Sequence, residues 1–312
     1  MGRRPSASAR LEYDRRVNRV IDHIRGHLAE PLTLGELARV AAFSPFHFDR
    51  VFKAVAGETL FGFVQRVRVD RAASALLARC DASVLEIALD HGFASAATFA
   101  RAFRARFGMS ATRWRAGGGA RWRARHGRNP GKQLRNLRKA GGRQARNTRE
   151  RKEGAMSVRV QQQPAYHVAY MRYVGPFGPG GIPELWQRFN RWRAAHDLFR
   201  PDSLTLGVTN DDPGISGDKA RYDACVVVPR EFAPDRLVNV MDIPAGTYAV
   251  ADFVGTAHDI VPAWERVFAA WLPGSGYQPD DRPCYELYRG DPTVDGAKGG
   301  FRCDLCLPVR PL

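Results

Sequence analysis

The sequence predicts a two-domain protein, an all-α double helix-turn-helix domain followed by an α+β domain of two ββαββ repeats. Three observations favour this class. The chain of 312 residues is long enough for two ordinary domains. Its first third contains one helical pattern twice, and near residue 156 the hydrophobic period changes to two. We place the helical domain at 1–115, a basic linker at 116–155 and the α+β domain at 156–312.

The formal net charge of +16 is distributed unevenly along the chain. Residues 1–112 carry +6, residues 113–152 carry +14 and residues 153–312 carry −4. A basic first part favours a polyanionic partner, and nucleic acid is the obvious one. The mildly acidic last part requires a different kind of ligand.

Membrane, secretion and metal signals are weak in this sequence. It has no run of 18 or more apolar residues, and its N-terminus lacks the apolar segment of a secretory signal. We therefore expect a cytoplasmic protein without a membrane partner. The five cysteines are an odd number and do not form a disulfide pattern. Cys303 and Cys306 form a lone C-x-x-C on a strand, so we expect no metal site, because zinc needs about four ligands.

The helical part contains two capping boxes. Thr33-Leu-Gly-Glu36 and Ser83-Val-Leu-Glu86 both fit S/T-x-x-E, in which a hydroxyl and a carboxylate satisfy backbone N–H groups at a helix start. A short apolar helix, a turn and a serine follow each box, the serine being Ser44 or Ser95. Because serine is a good N-cap, each serine predicts the start of a second helix.

The second helices of the two copies match at a spacing of 51 residues. The matched pairs are Phe48 with Phe99, Arg50 with Arg101, Phe52 with Phe103, Lys53 with Arg104, and Gly57 with Gly108. In the first copy Phe48 and Phe52 share the buried face, because they are four residues apart. A helix, a tight turn and a second helix with an exposed basic face form a helix-turn-helix, so this motif occurs twice.

One long helix separates the two motifs. Apolar residues at helical spacing between Leu60 and Leu76 predict a helix over about 58–79. This helix would hold the motifs at a fixed distance. If that distance is near one DNA turn, roughly 34 Å, one chain can place both second helices in successive major-groove segments. An opening helix with Val17 and Ile24 on its apolar face completes the domain.

The segment Ile87-Ala-Leu-Asp-His-Gly-Phe-Ala-Ser-Ala-Ala-Thr-Phe-Ala-Arg-Ala-Phe-Arg-Ala-Arg-Phe-Gly108 resembles the signature of AraC-type regulators. Residues 11–115 resemble the DNA-binding domain of that family throughout. The resemblance implies sequence-specific binding to double-stranded DNA, with RNA polymerase as a further partner. The DNA-binding positions that it implies are Ser44, Phe46, Asp49, Arg50, Lys53, Ser95, Thr98, Arg101 and Arg104.

The resemblance also divides these positions by role. It implies base-edge contacts for Phe46, Asp49, Arg50, Thr98 and Arg101, and phosphate contacts for Lys53 and Arg104. Ala96 and Ala97 depart from the usual polar residues, which leaves the second motif a thymine methyl contact and one arginine contact. The carboxylate of Asp49 either accepts from a cytosine amino group or orients Arg50, and both interpretations stay open.

The predicted linker is strongly basic. Residues 113–152 contain fifteen basic residues and one acidic residue, Glu150, together with glycine runs. Such a segment cannot bury enough apolar surface to fold alone, so we expect disorder. It either adds non-specific phosphate contacts, which increase the salt dependence of DNA binding, or is only a solvated tether.

The α+β part matches itself at a spacing of 80 residues. Pro164-Ala-Tyr-His-Val-Ala-Tyr-Met-Arg-Tyr-Val-Gly175 aligns with Pro244-Ala-Gly-Thr-Tyr-Ala-Val-Ala-Asp-Phe-Val-Gly255, and both alternate as strands do. A helix with spaced tryptophans follows each stretch. Further strands are expected at about 204–209, 222–228, 284–289 and 303–309. The two ββαββ halves predict antiparallel sheets that meet around a shared groove.

This half resembles the GyrI-like effector-binding domain of the DNA gyrase inhibitor family over residues 156–312. The motifs that carry the likeness are Val174-Gly-Pro-Phe177, Gly207-Val-Thr-Asn-Asp-Asp-Pro213, Arg221-Tyr-Asp-Ala-Cys225, Trp271-Leu-Pro273, Ser275-Gly-Tyr277 and Tyr285-Glu-Leu-Tyr288. The resemblance implies binding of small, often aromatic or cationic, compounds at the junction of the halves. It also implies a glutamate in the pocket, and Glu286 stands at the matching position.

Strand alternation places Glu286 on the same face as Cys284 and Tyr288. A carboxylate among aromatic rings is costly unless it is paired, and a bound cation would provide the partner, assisted by the ring faces. Alternatively, Glu286 pairs with Arg289 or Arg302. The expected effector site comprises Glu286, Tyr288, Tyr170, Trp186 and Trp264.

The sequence as a whole predicts a transcription regulator with a small-molecule effector, without cofactor and without catalytic residues. One alternative stays open, because a glutamate beside a tyrosine also serves general acid-base chemistry, and some GyrI-like proteins are hydrolases. The C-terminal domain would then be a hydrolase or a drug-sequestering module that the DNA-binding unit tethers or autoregulates. The sequence contains no G-x-S-x-G, Walker or H-E-x-x-H motif.

Overall fold

The computed structural model describes residues 7–79, 81–126, 157–177, 180–280, 282–290, 293–295 and 300–312. The chain divides into two compact units. The N-terminal unit comprises Met1–Arg123 and Glu231–Val240, and the C-terminal unit comprises Ala124–Arg230 and Met241–Leu312. Among the described residues, no helix is both long enough and apolar enough to cross a bilayer.

The first part of the chain is helical, as predicted. Its helices are α1 (Ala7–Gly26), α2 (Leu34–Val40), α3 (Pro45–Ala56), α4 (Leu60–Ala78), α5 (Val84–Asp90), α6 (Ala96–Phe107), α7 (Ala111–Arg113) and α8 (Gly119–His126), with a π-helical turn at Trp114–Gly118 between the last two. The two predicted helix pairs are therefore α2 with α3 and α5 with α6. Helix α4 is the long helix expected between them.

Local capping and aromatic packing explain the start and the burial of these helices. Both bonds of the capping box are present at Ser83, and at Thr33 the hydroxyl accepts from the Glu36 N–H, while the Glu36 carboxylate contacts His23. The repeated phenylalanines are buried in both copies, namely Phe48 and Phe52 in α3, and Phe99 and Phe103 in α6. The apolar period of the sequence thus predicts the core.

A buried carboxylate joins α4 to α6. Asp70 in α4 accepts from Nε of Arg106 in α6 at 3.0 Å, and its other oxygen lies 3.5 Å from the Arg66 guanidinium. Asp70 is only 6% exposed, so this ion pair is weakly screened by solvent. The second helix pair is therefore held against α4 by charge as well as by apolar packing.

The sequence predicts that the first domain ends at residue 115, but the helical structure continues to His126. Residues 117–119, predicted as part of a disordered linker, instead join the π-helical turn to α8, whose first residue is Gly119. Gly117 has a φ of +91°, and a Cβ at Gly118 or Gly119 would overlap the Arg113 carbonyl or the Trp114 ring. Glycine is therefore sterically required here. The predicted linker from residue 127 to residue 155 lies outside the described residues.

The C-terminal part is the predicted α+β domain. Its strands are β1 (Val158–Gln163), β2 (Tyr166–Val174), β3 (Leu204–Thr209), β4 (Arg221–Val227), β5 (Asn239–Ile243), β6 (Gly246–Gly255), β7 (Tyr277–Pro279), β8 (Cys284–Arg289), β9 (Thr293–Asp295) and β10 (Gly300–Pro311). Its helices are α9 (Ile182–Ala195), α10 (Pro213–Ser216) and α11 (Ile260–Arg266), the last continued by a π-helical turn at Val267–Trp271 and a 3₁₀ turn at Leu272–Gly274.

The two halves share one sheet and exchange their first strands. The order is β1-β6-β10-β8-β3-β4-β2-β5, with β7 and β9 paired to β10. Strand β1 of the first half thus lies beside β6 of the second half, and β5 of the second half lies beside β2 of the first. The halves meet in the middle at β3 and β8, which run antiparallel. The sequence predicted two sheets around a groove, whereas strand exchange makes them continuous.

The two faces of this sheet have separate cores. One face packs against helices α9 and α11 through a cluster that includes Phe253, Val267, Tyr288 and Leu305, with Trp186 and Trp264 against it. The opposite face carries a cluster that includes Tyr170, Leu206, Tyr285 and Leu287. The face of a strand on which a residue lies therefore decides which core it joins.

Candidate functional site

The exposed face of α3 carries the basic residues expected of a first recognition helix. Arg50 and Lys53 are exposed, and their side chains have no hydrogen-bond or ion-pair partner among the described residues. Ser44 occupies the N-cap position and is exposed, but its hydroxyl makes no capping bond. The side chain of Phe46 lies outside what the structure describes.

Asp49 has a local role that sequence reasoning missed. Its Oδ1 accepts a hydrogen bond of 3.3 Å from the backbone N–H of Leu60, at the start of α4. The first N–H groups of a helix have no partner within the helix, so this carboxylate satisfies one of them. Asp49 therefore connects α3 to α4, a role that differs from both interpretations of it as a DNA-facing group.

The exposed face of α6 resembles that of α3 in charge. Arg101 and Arg104 are exposed and, like their counterparts in α3, have no side-chain partner within the described part of the chain. Thr98 is also exposed, yet its hydroxyl donates to the backbone carbonyl of Ser95 at 2.8 Å. The hydroxyl of Ser95 in turn accepts from the Thr98 N–H at 3.2 Å. These two residues thus form the N-terminal cap of α6.

In the C-terminal unit, Glu286 lies on the central strand β8 with its side chain 6% exposed. Its strand neighbours are Gly207 in β3 and Leu305 in β10, so all three residues share one face. Tyr288, two residues along β8, lies on the same face. The register thus agrees with the predicted alternation.

Neutral donors surround the Glu286 carboxylate. Its Oε2 accepts from the hydroxyl of Tyr222 at 2.7 Å and from that of Tyr288 at 2.9 Å. Its Oε1 accepts from the indole N–H of Trp264 at 3.3 Å. The indole N–H of Trp186 donates to the Tyr222 hydroxyl at 3.2 Å. Helix α11 of the second half therefore reaches the carboxylate directly through Trp264, and helix α9 of the first half reaches it through the Tyr222 hydroxyl.

Burial and these donors act on the ionisation of Glu286 in opposite directions. Burial raises the pKa of Glu286, and the hydrogen bonds from Tyr222, Tyr288 and Trp264 lower it, with burial the larger effect. The pKa values of Tyr222 and Tyr288 are raised well above 10, first by burial and then by the nearby Glu286 carboxylate. Both phenols therefore act as donors at neutral pH.

No cationic side chain of the described chain neutralises Glu286. Arg289, one predicted partner, instead lies 3.4 Å from Asp304. Arg302, the other, has no ion pair to Glu286 among the described residues. The alternative in which Glu286 is half of a structural ion pair is therefore not found in this structure.

Close packing around the carboxylate depends on Gly207. A Cβ at this position would overlap the Tyr222 hydroxyl and the Glu286 carboxylate. A side chain here would displace one of the two groups, because both are buried and hydrogen-bonded to each other. The absence of a side chain at Gly207 thus allows the hydrogen bond between Tyr222 and Glu286.

The structure brings together four of the five residues predicted for the effector site, namely Glu286, Tyr288, Trp186 and Trp264. Tyr170 lies elsewhere. It is buried in the cluster on the opposite face of the sheet, 4.9 Å from its ring centroid to the guanidinium carbon of Arg172. Tyr170 is paired with Cys225 in β4, whereas the next residue of β4, Ala224, is paired with Gly207, the strand neighbour of Glu286. Because successive residues of a strand face opposite sides, Tyr170 and Glu286 lie on opposite faces of the sheet.

Tyr222 is the main residue of this site that the sequence analysis missed. It lies within the quoted motif from Arg221 to Cys225, but its closeness to Glu286 depends on the pairing of three strands. In that pairing Tyr222 is opposite Thr209 in β3, which is opposite Cys284 in β8. Only this register shows that Tyr222 and Glu286 share a face.

The two cysteines of the C-x-x-C in β10 lie on opposite faces of the sheet. Cys303 lies in the cluster on the helix-covered face, and Cys306 in the cluster on the other face, as expected for alternate positions of a strand. Burial raises the pKa of the Cys284 thiol to about 12 and also raises the pKa values of Cys303 and Cys306. Among the described residues, no group of His, Cys, Asp and Glu could hold a metal ion.

Two family models match the chain in the predicted order. A helix-turn-helix domain model matches residues 37–117, and the model of the GyrI-like small molecule binding domain matches residues 156–310. These matches cover the second half of α2, all of α3 to α6, and nearly the whole of the α+β part.

Similar curated proteins match each half. The SPbeta prophage-derived protein YosT of Bacillus subtilis (strain 168), whose name describes a transcriptional regulator, is 30% identical over 50% of this chain and 100% of its own length. The DNA gyrase inhibitor of Serratia proteamaculans (strain 568) is 31% identical over 45% of this chain and 92% of its own. The uncharacterized HTH-type transcriptional regulator YbfP of Bacillus subtilis (strain 168) is 32% identical over 32% of this chain and 33% of its own. This chain therefore belongs to the AraC-type transcription regulators and carries a C-terminal GyrI-like small-molecule-binding domain.

Proposed function

We propose that the helical domain reads DNA mainly through α3 and holds the DNA backbone through both second helices. Arg50 is the base-reading residue of the first motif, since its guanidinium is exposed and suits the edge of guanine. Lys53 and Arg104 contact phosphates. Arg101 supplies the base contact of the second motif, where Ala96 and Ala97 offer no polar group. We place the end of this domain near residue 126 and the second domain at 156–312.

For the C-terminal domain, we propose a small aromatic cation as the effector. The observation that carries this proposal is the buried Glu286 carboxylate, which accepts three hydrogen bonds from neutral groups and faces no described cationic side chain. Burying an ionised carboxylate without a counter-charge is costly, and a bound cation would offset that cost. The rings of Trp186, Trp264 and Tyr288 would add cation–π attraction.

The effector is bound rather than converted in this proposal. The relatives that match the C-terminal domain are named as a regulator and as gyrase inhibitors, which does not favour a hydrolase. We further propose that the regulator acts in the cytoplasm and contacts RNA polymerase. Occupied and empty effector sites would differ in how the helical domain binds DNA, which requires unequal ligand affinity in two states of the protein.

The test is DNA selection by the intact protein from a random duplex pool, with and without a panel of aromatic cations. We expect one sequence motif to be enriched and its binding to change when a cation is present. The same mixtures are analysed for chemical change of the cation. Absence of any enriched motif would contradict base reading, and turnover of the cation would replace the binding proposal by the hydrolase alternative.

A further inference from the structure

The second half of the helical domain is continuously basic. Between Asp90 and Glu150 the sequence contains no aspartate or glutamate at all. The described part of this stretch includes α6, α7 and α8. Asp70 of α4 pairs with Arg106 in α6, but the segment itself supplies no carboxylate, so its own residues give it a strongly positive charge.

Helix α8 is packed against the helical domain. The Trp122 ring of α8 lies 5.1 Å from that of Phe107, the last residue of α6, and 5.6 Å from that of Trp114. Trp114 is buried, and its indole N–H donates to the Ala73 carbonyl in α4 at 3.0 Å. The turn at residues 117–119 lets the chain reach this position. Helix α8 is therefore held by aromatic contacts and does not begin a free tether.

This packing leaves the arginines around Trp122 exposed. Arg121 and Arg123 flank Trp122 in the sequence and are exposed, and so is Arg113 in α7. Arg121 donates from its Nε–H to the Gly117 carbonyl at 3.4 Å, and its side chain remains exposed. An anchored helix that presents guanidinium groups pays less ordering entropy on binding a polyanion than a disordered segment does.

We propose that α8 is a third DNA-contacting element, which binds duplex phosphates through Arg121 and Arg123 without reading sequence. The charge of the patch complements the phosphate backbone, and the patch adjoins α6, whose exposed Arg101 and Arg104 belong to the second helix-turn-helix. The inference extends the DNA-binding function of the domain beyond its two motifs. It predicts that a defined pair of arginines, and not only the linker after residue 127, sets part of the salt dependence of binding.

The test measures the affinity of the full chain for a duplex of unrelated sequence over a range of salt concentrations, by fluorescence anisotropy. The variant carries Arg121→Gln and Arg123→Gln. We expect the slope of log affinity against log salt to become shallower by about 1.8, since each lost phosphate contact removes about 0.9. Affinity for a selected operator should decrease by the same factor, which leaves the ratio of specific to non-specific affinity unchanged.

Two further variants separate phosphate binding from general effects. Arg200→Gln with Arg230→Gln removes the same charge at exposed sites of the C-terminal unit, and its slope should equal that of the wild type. Arg121→Lys with Arg123→Lys keeps the charge and should retain the wild-type slope. An unchanged slope in the glutamine variant, an equal loss in the C-terminal control or a loss in the lysine variant would overturn the proposal. An unrelated duplex is sufficient here, so failure to select an operator would contradict only the proposed base reading.

Discussion

The Tyr222 hydroxyl lies 2.7 Å from Oε2 of Glu286 and is itself the acceptor of the Trp186 indole N–H. Tyr222 and Trp186 belong to the first repeat, and Glu286 belongs to the second. A carboxylate of one half is therefore oriented by a hydrogen-bond chain from the other half. A ligand that attracts this carboxylate acts on both halves of the domain.

The raised pKa of Glu286 gives both binding and stability a pH dependence. Cation binding requires the ionised carboxylate, so affinity should decrease as pH is lowered through the raised pKa. The stability of the fold depends on pH in the opposite direction. Since the pKa in the folded state exceeds 4.5, the ordinary value, the contribution of this group to the free energy of unfolding is complete below 4.5 and is lost as pH increases through the folded pKa.

Tyr222→Phe should move that pH dependence upward. The substitution removes one of the donors that lower the pKa of Glu286, so the pH midpoint for cation binding should increase. Titration of benzyltrimethylammonium by calorimetry between acidic and neutral pH measures the midpoint. Tyr166→Phe is the matched control, because it removes a buried hydroxyl bonded to Gln163 on the opposite face. A midpoint in Tyr222→Phe equal to that of the wild type would contradict the role of Tyr222.

Gly207→Ala should damage the site and the fold together. The added methyl group would overlap the Tyr222 hydroxyl and the Glu286 carboxylate, so we expect a loss of about 1–3 kcal/mol in the free energy of unfolding and weaker cation binding. Urea unfolding of both proteins gives the difference. Gly274→Ala is the control, because nothing lies within 4 Å of its Cβ position. Equal stability of Gly207→Ala and the wild type would show that the site relaxes around the methyl group.

Arg50→Ala should weaken specific DNA binding by about 1–3 kcal/mol and relax the preference at one base position. Its exposed guanidinium has no described protein partner, so stability should hardly change. Competition between selected and unrelated duplexes measures the ratio of affinities, with Arg310→Ala in the C-terminal unit as a charge-matched control. If that ratio stays the same in Arg50→Ala, Arg50 does not read a base.

Asp70→Asn should loosen the second helix pair. Asn keeps the shape of the side chain but removes its charge, so the partly buried Arg106 guanidinium loses this ion pair, whereas Arg66 keeps its ion pair with Glu58 at 2.9 Å. We expect a loss of about 1–3 kcal/mol in the free energy of unfolding, measured by denaturant titration. Glu12→Gln removes a more exposed pairing within α1 and should cost about 0.5 kcal/mol or less. Equal losses of unfolding free energy in Asp70→Asn and Glu12→Gln would show that burial does not increase the contribution of Asp70 to stability.

Much of the fold was predictable because its signals are local. Capping serines, spaced phenylalanines and alternating strands act over a few residues, and they located α3, α6 and the two ββαββ halves. Residues 117–119 show the limit of composition, because this glycine run is typical of linkers, yet Gly118 and Gly119 are required here by the close approach of the Arg113 carbonyl and the Trp114 ring. The structural role of these glycines depends on the packing of Trp114 against Phe107 and Trp122.

The site was less predictable because it depends on register between distant strands. Alternation along β8 was enough to associate Tyr288 with Glu286, but Tyr222 joins them only through the pairing of β4 with β3 and of β3 with β8. Tyr170 was expected in the same site but lies on the opposite face of the sheet, and only the strand register shows this, since a shift of one residue in register reverses the face. The hydrogen bond between Asp49 and the Leu60 N–H was likewise not predictable, because it depends on where α4 begins relative to α3 in space.

The most direct test of the effector proposal compares benzyltrimethylammonium with neopentylbenzene, its neutral carbon isostere, in the wild type and in Glu286→Gln. We expect the wild type to prefer the cation by about tenfold or more, equivalent to about 1.4 kcal/mol, and the variant to lose that preference while binding the neutral compound equally well. Equal preference for the cation in both proteins would contradict the proposal that Glu286 provides the counter-charge for the effector.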